Sequence, residues 1–391
     1  MNQNIYKDIA TRTGGDIYIG IVGPVRTGKS TFIKQFMNSL VIPNITEEFS
    51  RERANDELPQ SSSGRTIMTT EPKFIPENAV KISMNDNSCF NVRLIDCVGY
   101  IVPSSLGYFE NDQPRMVMTP WYEEPIPFNM AAEIGTRKVI TEHSTIGLVV
   151  TTDGSISDIP REEYEEAEER VINELKEIKK PFAVVLNCMY PDSDECVALA
   201  HKLKDKYDVP VIATNCLELD ERKIGSIISE VLYEFPIKEV AVKYPCWINS
   251  LHVDHWLRAD ITNSLKEFCK KLNLIKDVNI FENLTEKSSY VERSKILNID
   301  FGTGKVLIEL DVNRNMFYNI IKEISGLMIE NDSQLMDSVI ELSKIQKDYK
   351  KIKNALDEVE ATGYGIVMPD REELRLEEPE IMKQGLRNLK L

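Results

Sequence analysis

The segment from Gly23 to Ser30, GPVRTGKS, is the feature that most constrains this chain. It has the spacing Gly-x-x-x-x-Gly-Lys-Ser/Thr and follows an apolar run at 17–22 that predicts a buried strand. Glycines at such a turn let backbone N–H groups approach phosphates, and a helix N-terminus adds positive charge. We therefore predict a phosphate-binding loop between a strand and a helix. The residues expected to contact the nucleotide phosphates are Gly23, Pro24, Val25, Arg26, Thr27, Gly28, Lys29, Ser30 and Thr31.

Strand and helix patterns alternate along the first 236 residues. A helix is predicted after the phosphate loop and another at 161–180, where Tyr164, Ala167, Val171 and Leu175 recur at helical spacing. The acidic residues of the second helix are interpreted as a solvated face. Such alternation predicts an α/β domain over 1–236, a P-loop NTPase (GTPase-like) fold with a doubly wound, mostly parallel sheet. Its strands are predicted at 17–22, 91–96, 146–152, 182–187 and 209–214.

The pattern changes after residue 236, which predicts a smaller α+β middle domain over 237–391. Residues 294–312 indicate two strands around a glycine-containing turn, hence a hairpin. Apolar residues at steps of three and four predict a long amphipathic helix near 333–362. That helix could pack on its own domain or on another subunit, and the sequence pattern leaves both open.

Candidate catalytic groups lie near the end of the strand at 91–96. Asp96 ends this strand, where a carboxylate would stand near the metal ion of a bound nucleotide. Gly99 completes an Asp-x-x-Gly motif, whose glycine N–H senses the terminal phosphate. Thr69 and Thr70 lie between the loop and Asp96, and a threonine there can offer its hydroxyl to Mg²⁺ and its carbonyl to the attacking water. The predicted Mg²⁺ ligands are Ser30, Thr70 and Asp96, and the predicted catalytic residues are Lys29, Thr69, Thr70, Asp96 and Gly99.

Two differences from the motifs of guanine-nucleotide switches bear on the predicted rate of hydrolysis and on the predicted base of the nucleotide. Tyr100 follows Gly99 where such an enzyme carries a water-orienting glutamine, so isolated molecules should turn over slowly. The segment 187–190, NCMY, lacks the lysine and aspartate that read guanine. Without a paired acceptor for its N–H groups, guanine loses its advantage over adenine. The predicted cofactors are therefore ATP and Mg²⁺.

Composition and net charge argue against several classes of protein. The formal net charge of −16 argues against a nucleic-acid partner, because phosphate binding needs clustered Lys and Arg. No apolar run reaches the ~20 residues that span a bilayer, and the N-terminus lacks a signal-peptide core, so a cytoplasmic protein is expected. Seven cysteines stand singly, which is typical of reduced thiols, and four histidines are too few for an obvious metal cluster.

Five segments together resemble the stage IV sporulation protein A family of endospore-forming bacteria. They are GPVRTGKSTFIKQFM, TTEPKFIP, LIDCVGY, GTRKVITEHSTIGLVVTTDGSI and KPFAVVLNC. The resemblance implies a cytoskeletal-type ATPase made in the mother cell and recruited to the outer forespore membrane. There it would polymerise after ATP hydrolysis into the basement layer of the spore coat. By the same resemblance, Lys29 is the phosphate-loop lysine, Asp96 the Walker B carboxylate, and Thr69 and Thr70 couple hydrolysis to polymerisation.

The partners implied by the resemblance are other copies of the chain and other coat morphogenetic proteins. A small amphipathic membrane-bound peptide would bind through the family's C-terminal region, giving peripheral membrane association. Family chains continue past a point like Leu391, so this region is expected to be absent here, and no residue is assigned to it.

Two alternative functions remain beside the assembly ATPase. One is a regulatory GTPase-type switch for a single partner, and the other is a scaffold with an inactive site. The intact lysine, serine and aspartate positions disfavour the scaffold. The long segment 100–130 exceeds ordinary connection lengths and includes Trp121. We hypothesise that it relays the nucleotide state to a neighbouring subunit.

Overall fold

A computed structural model describes residues 5–59, 72–84, 89–105, 109–110, 113–119, 122–286 and 290–368, with side chains at all of these except 109–110 and 282–286. The chain divides into two compact units, Met1–Asp311 and Val312–Leu391. None of the described helices combines the length and apolar character needed to cross a bilayer.

The larger unit alternates strands and helices, as predicted for its first part. Its elements are α1 (Ile5–Thr13), β1 (Asp16–Val22), α2 (Lys29–Phe36), α3 (Glu48–Asp56), β2 (Lys73–Ser83), β3 (Cys89–Asp96), β4 (Phe109–Glu110), β5 (Gln113–Pro114), β6 (Met116–Thr119), β7 (Tyr122–Pro127), α4 (Phe128–Lys138), β8 (Ile146–Thr152), α5 (Glu165–Ile178), β9 (Phe182–Asn187), α6 (Asp194–Tyr207), β10 (Val211–Thr214), α7 (Glu221–Tyr233), β11 (Glu239–Lys243), α8 (Trp256–Cys269), β12 (Val291–Asp300) and β13 (Lys305–Val312).

The main sheet of the described residues has six strands in the order β10-β9-β8-β1-β3-β2. Every neighbouring pair is parallel except β2 with β3, which run antiparallel. The predicted α/β fold with a mostly parallel sheet is confirmed. Chain order reverses around β1, which has β3 on one side and β8 on the other. Ligands of open α/β sheets bind at the carboxyl ends of strands at such a switch point.

Both faces of the central strands are buried, which explains their unbroken apolar sequences. In β1, Ile17, Ile19 and Ile21 belong to one hydrophobic cluster, and Val22 belongs to the cluster on the opposite face. The seven residues of β8 are all buried. A fully buried aliphatic side chain contributes about 1.5–3 kcal/mol, so these strands hold the carboxyl edge of the sheet in a fixed position.

The helices on the two faces of the main sheet bury the apolar residues that were predicted to face the core. Phe32, Ile33 and Phe36 of α2 are buried against one face of the sheet. The predicted stripe of α5 is buried in the other cluster, and Pro181 follows the end of this helix. Glu168 departs from the solvated face expected for the acidic residues, since it is completely buried.

A second sheet of the larger unit has the strand order β11-β13-β12 among the described residues. Strand β11 pairs in parallel with β13, and a four-residue turn, Phe301–Gly304, joins β12 to β13. Gly304 has φ +73°, and a Cβ there would lie 2.5 Å from the Arg12 guanidinium. Arg12 also donates from Nε to the Phe301 carbonyl, so α1 is hydrogen-bonded to this turn.

The smaller unit contains helices α9 (Arg314–Ser325) and α10 (Asp332–Thr362). Asn331 caps α10 by accepting a hydrogen bond from the Gln334 N–H at 2.9 Å. The helix ends at Gly363, whose φ of +81° suits the left-handed position that follows many helices. Asp332 also accepts hydrogen bonds from Arg314 and Tyr318, which join α9 to the first turn of α10.

Candidate functional site

The loop between β1 and α2 has a backbone that only glycine can follow at two positions. Gly23 has φ +134° and Gly28 has φ +90°. A Cβ at Gly23 would lie 2.2 Å from the Val150 carbonyl oxygen, and one at Gly28 would lie 2.3 Å from the Asn187 amide nitrogen. Close backbone packing therefore fixes the loop on both sides, and α2 begins directly after it with its first N–H groups at the loop.

Lys29 is buried in this loop with its charged end bonded to the main chain. Its Nζ donates to the carbonyl oxygens of Pro24 at 2.6 Å and Gly23 at 3.3 Å. Burial lowers the pKa of Lys29 to about 8, and the Asp96 charge opposes this change. The ammonium group thus lies where a phosphate oxygen could replace the two carbonyls.

Ser30 and Asp96 meet at the edge of the sheet. The Ser30 hydroxyl in the first turn of α2 donates to Asp96 Oδ2 at 2.7 Å, and Asp96 ends β3 beside β1. Burial raises the pKa of Asp96, while the hydrogen bond from Ser30 and the Lys29 charge act against that rise. Hydroxyl and carboxylate oxygens are the donors that Mg²⁺ takes from proteins beside phosphates. This pair therefore fits a magnesium ion.

The segment after β3 runs along the phosphate loop. Tyr100 donates its N–H to the Gly23 carbonyl at 3.1 Å, and its own carbonyl accepts from the Val25 N–H at 2.8 Å. Gly99 has φ +94°, and a Cβ there would lie 2.4 Å from Lys29 Nζ. Gly99 is thus packed against the lysine, and its sensing of the terminal phosphate stays a prediction.

The Tyr100 side chain extends away from the loop toward α5. Its hydroxyl donates to Glu174 Oε2, and burial together with this carboxylate raises the pKa of Tyr100 far above its usual range. Arg170 lies 3.7 Å from Glu174 and makes a bidentate pair with Glu133 at 2.6 and 2.7 Å. The hydroxyl is therefore bonded to a residue of α5. That Tyr100 does not substitute for a water-orienting glutamine stays a prediction.

A cleft of about 570 Å³ opens beside the same tyrosine. The segment Tyr100–Pro103 forms one wall, and Met130 and Glu133 of α4 with Ala167 and Arg170 of α5 form another. The predicted relay segment therefore borders this cleft both at its first residues and at its last residue, Met130. Trp121, singled out in that segment, lies outside the described residues.

Asn187 holds the phosphate loop from the neighbouring strands, a role that the sequence did not reveal. It ends β9, and its Nδ2 donates to the Thr27 carbonyl at 3.0 Å while its Oδ1 accepts from the Cys216 N–H at 3.0 Å. The side chain is buried and saturates two backbone groups at once. The one available signal in the sequence is an amide at the end of a buried strand, which also begins the altered guanine motif.

The residues after Asn187 differ from the guanine-binding motif of guanine-nucleotide switches. The buried Cys188 stands where the motif would place lysine, and Tyr190, which is 71% exposed, stands where it would place aspartate. Met189 between them is 51% exposed. The next carboxylates along the chain come at Asp192 and at Asp194, the first residue of α6.

A buried ion pair supports the connection between β8 and α5. Arg161 donates from Nη1 and Nη2 to the Glu168 carboxylate at 2.7 and 2.8 Å, and Nη1 also donates to the Thr152 carbonyl at 3.1 Å. Glu168 additionally accepts a hydrogen bond from the Thr151 hydroxyl. This bonding explains why an acidic residue of α5 is buried, and it fixes the loop that brings Ile156 within 3.7 Å of a Cβ built on Gly28.

The remaining predicted site residues divide into two groups. Val25 and Thr27 are buried in the loop, and the Thr27 hydroxyl donates to the Pro24 carbonyl at 3.0 Å. Arg26 occupies the left-handed region at φ +63°, and Thr31 is half-buried in α2. Thr69 and Thr70 lie outside the described residues, so their contacts with metal and water stay predictions.

Comparison with known sequences identifies the family. A profile described as the ATPase domain of stage IV sporulation protein A matches residues 1–236, and a profile described as its middle domain matches residues 237–390. This chain belongs to the stage IV sporulation protein A family. The resemblance found from the motifs is confirmed, and the chain is a sporulation protein with a nucleotide-binding ATPase domain.

Curated relatives agree along nearly the whole chain. Stage IV sporulation protein A of Clostridioides difficile (strain 630) is 50% identical over 386 residues, covering 98% of this chain and 78% of that protein. The protein of the same name from Bacillus subtilis (strain 168) is 48% identical over 384 residues with the same coverage. A solved GTP-binding protein from Sulfolobus solfataricus in complex with GDP is 17% identical, with the match covering 55% of this chain and 52% of that one and a TM-score of 0.31.

Proposed function

We propose that this chain binds ATP with Mg²⁺ in the Gly23–Ser30 loop, hydrolyses it, and thereby becomes competent to assemble with further copies of itself. The observation that carries the proposal is the convergence of three groups at the N-terminus of α2. These are the buried Lys29 ammonium, the Ser30 hydroxyl and the Asp96 carboxylate, the last two joined at 2.7 Å.

Each of these groups has a distinct part in the proposal. Lys29 exchanges its bonds to two main-chain carbonyls for phosphate oxygens, and its charge stabilises the charge of the transferred group. Ser30 and Asp96 would hold Mg²⁺, which when bound would neutralise charge on the phosphates. Gly99 contributes its N–H beside Lys29, so that loss of the terminal phosphate removes a partner from this segment.

Adenine is the base that the site favours. Guanine selectivity needs a carboxylate that accepts from both guanine N–H groups, and residues 188–190 offer a thiol, a thioether and an exposed phenol. Asn187 is also occupied with the backbone on both sides of its amide. The base site thus lacks the feature that makes a guanine-specific switch.

Assembly after hydrolysis is proposed from family membership and from the slow turnover expected of an isolated chain. Thr69 and Thr70 are proposed to couple hydrolysis to assembly, with Thr70 beside Ser30 and Asp96 at the metal. The proposed product is a polymer that forms the basement layer of the spore coat on the forespore surface, in the mother-cell cytoplasm. Other coat morphogenetic proteins and a small amphipathic membrane peptide are its proposed partners.

Hydrolysis of ATP and of GTP by the purified chain, combined with sedimentation, tests this proposal. We expect Mg²⁺-dependent phosphate release from ATP and a product that pellets. Lys29→Ala should abolish nucleotide binding, Asp96→Ala should retain some binding but reduce turnover, and the Thr69→Ala/Thr70→Ala double variant should bind ATP without pelleting. Lys34→Ala, an exposed lysine of the same helix, is the matched control and should behave as the parent chain.

Three results would contradict the proposal in different ways. Selective hydrolysis of GTP with no pelleting would favour the regulatory switch. Absence of turnover with both nucleotides would favour the inactive scaffold. Equal loss of nucleotide binding in all three site variants would show that the division of roles among these residues is wrong.

A further inference from the structure

Three potential metal ligands come together beside the phosphate loop, at residues far apart in the sequence. Asp153 follows β8, Cys188 follows β9, and Cys196 lies in the first turn of α6. One carboxylate oxygen and the two sulfur atoms all lie within 4.8 Å of one another. The two cysteines are buried and Asp153 is half-buried, so the cluster sits just beneath the surface.

The two sulfur atoms of the cluster are in direct contact. Cys196 Sγ donates a hydrogen bond to Cys188 Sγ at 2.9 Å. A disulfide would bring the sulfur atoms to about 2.05 Å, whereas a tetrahedral cation with sulfur ligands at about 2.3 Å would move them apart to roughly 3.8 Å.

The Asp153 carboxylate decides between these two possibilities. A disulfide has no use for a carboxylate, and here a carboxylate oxygen lies within 4.8 Å of both sulfur atoms. A divalent cation that accepts sulfur and oxygen ligands would instead be stabilised by all three groups.

We propose that Asp153, Cys188 and Cys196 form a binding site for a divalent, thiolate-binding cation of the zinc class. Binding exchanges the two thiol protons for one cation, so two protons are released and the occupied site carries one net negative charge. A tetrahedral ion would have its fourth position open to water. This site is separate from the Ser30–Asp96 pair, whose oxygen-only donors suit magnesium.

Hydrogen bonds outside the three ligands hold them in place. Ser155 donates from its N–H and its hydroxyl to Asp153 Oδ1 at 2.9 and 2.6 Å, and the Ser155 hydroxyl accepts from the Met189 N–H at 3.0 Å. Cys196 donates its N–H to the Ser193 hydroxyl, which caps α6. Metal-bound carboxylates are ordinarily fixed by such second interactions. A serine thus joins the carboxylate ligand to the residue after the first cysteine ligand.

The position of the site indicates what the cation would stabilise. Cys188 directly follows the Asn187 clamp, and the segment 189–195 connects Cys188 to Cys196. A cation would therefore close this segment into a short loop beside the phosphate-binding residues. Because it binds the folded chain only, saturation should also raise the unfolding temperature.

Titration with Co²⁺ tests the proposal without any use of nucleotide. The reduced parent chain should bind one Co²⁺ with thiolate-to-cobalt charge-transfer absorption and tetrahedral d–d bands, and Zn²⁺ should displace it. Charge transfer requires bound sulfur, so Co²⁺ at the oxygen ligands of the phosphate site does not contribute to this signal. Cys188→Ser, Cys196→Ser and Asp153→Asn should each weaken binding by at least about tenfold. Cys269→Ser, an exposed cysteine outside the cluster, should leave binding unchanged.

Asp153→Asn keeps both buried cysteines and therefore protects the test from a variant that fails to fold. Its circular dichroism should match that of the parent chain. Unchanged Co²⁺ affinity in this variant would overturn the assignment of the carboxylate. Absence of the charge-transfer signal in the reduced parent chain would overturn the site. A chain isolated with Cys188 and Cys196 protected from alkylation until reduction, and with no metal uptake after it, would show a disulfide pair instead.

Discussion

The buried lysine of the phosphate loop should make the stability of the nucleotide-free protein depend on pH in a predictable direction. Burial lowers the pKa of Lys29 to about 8 from an ordinary value of 10.5. Between these values the unfolded chain binds a proton that the folded chain has released, so stability rises with pH. Burial of the charged lysine therefore lowers the free energy of unfolding, and this penalty is fully present below about pH 8 and absent above about pH 10.5.

The size of the effect follows from the two pKa values. At pH 7 the difference corresponds to a penalty of about 3 kcal/mol on the folded state. When the pH rises from about 6.5 to about 9.5, the free energy of unfolding should increase by roughly 2 kcal/mol, because most of this penalty disappears. That is a large share of the total stability of an ordinary domain, about 5–15 kcal/mol.

Lys29→Met isolates this contribution from the other groups that titrate over the same range. The variant also loses the hydrogen bonds to Gly23 and Pro24, but that loss is an offset independent of pH. Urea unfolding of both proteins, free of nucleotide and followed by tryptophan fluorescence, gives the free energy of unfolding at each pH. The parent chain should gain about 2 kcal/mol relative to the variant as the pH rises from about 6.5 to about 9.5.

Lys34→Met is the control, because Lys34 is exposed on the same helix and has no burial to relieve. Its pH profile should follow that of the parent chain. Parallel profiles for the parent chain and Lys29→Met would refute the reasoning, since they would show that the ammonium group suffers no penalty in the folded loop. A gain of the opposite sign would show that Asp96 outweighs burial.

Three further substitutions test the contacts around the loop. Asn187→Ala leaves two buried backbone groups without partners and should lower the free energy of unfolding by about 2–4 kcal/mol in urea, whereas Asn215→Ala, which removes an exposed cap, should cost about 1 kcal/mol or less. Glu168→Ala leaves the Arg161 guanidinium buried without its carboxylate and should cost about 3–5 kcal/mol, measured by thermal unfolding. Tyr100→Phe should lower stability by about 1–2 kcal/mol but leave ATP turnover within about twofold, measured by phosphate release.

Each substitution has an outcome that contradicts its premise. Equal losses for Asn187→Ala and Asn215→Ala would show that the buried clamp is no stronger than a surface cap. A neutral Glu168→Ala would mean that water reaches Arg161. A collapse of turnover in Tyr100→Phe, with stability unchanged, would place the hydroxyl in the reaction.

Features set by local pattern could be predicted from the sequence. The strands at 146–152 and 182–187 were predicted with the bounds that the structure has, because long apolar runs in this fold are buried on both faces. Helix α1 and strand β2 were not predicted. Helix α1 is short, and β2 is an edge strand whose pairing shifts register between Ile75 and Val80, which interrupts alternation.

The site was predictable as far as strand ends and motif spacing define it. The meeting of Ser30 with Asp96 follows from two adjacent parallel strands ending at the same edge. The Asn187 clamp and the cluster of Asp153, Cys188 and Cys196 depend instead on which strands become neighbours and on how α6 enters its first turn. A spacing of eight residues between the cysteines matches none of the short-range metal motifs, so only the folded chain reveals that group.

Gly99 and Tyr100 restrict how a structural change at the bound phosphates can be transmitted to the segment that follows them. A Cβ built on Gly99 would overlap with Lys29 Nζ and with the Gly23 carbonyl oxygen, so Gly99 lies directly against both groups. A movement of the Lys29 ammonium group away from the carbonyls it contacts would therefore change the surroundings of Gly99. One residue further, the tyrosine hydroxyl is bonded to Glu174 of α5, and its backbone is bonded to the loop on both sides. We therefore expect a rearrangement that passes through Tyr100 into the following segment to shift the Tyr100–Glu174 bond. If the segment acts as the hypothesised relay, we expect its first measurable change in the environment of Tyr100, before any contact between subunits is made.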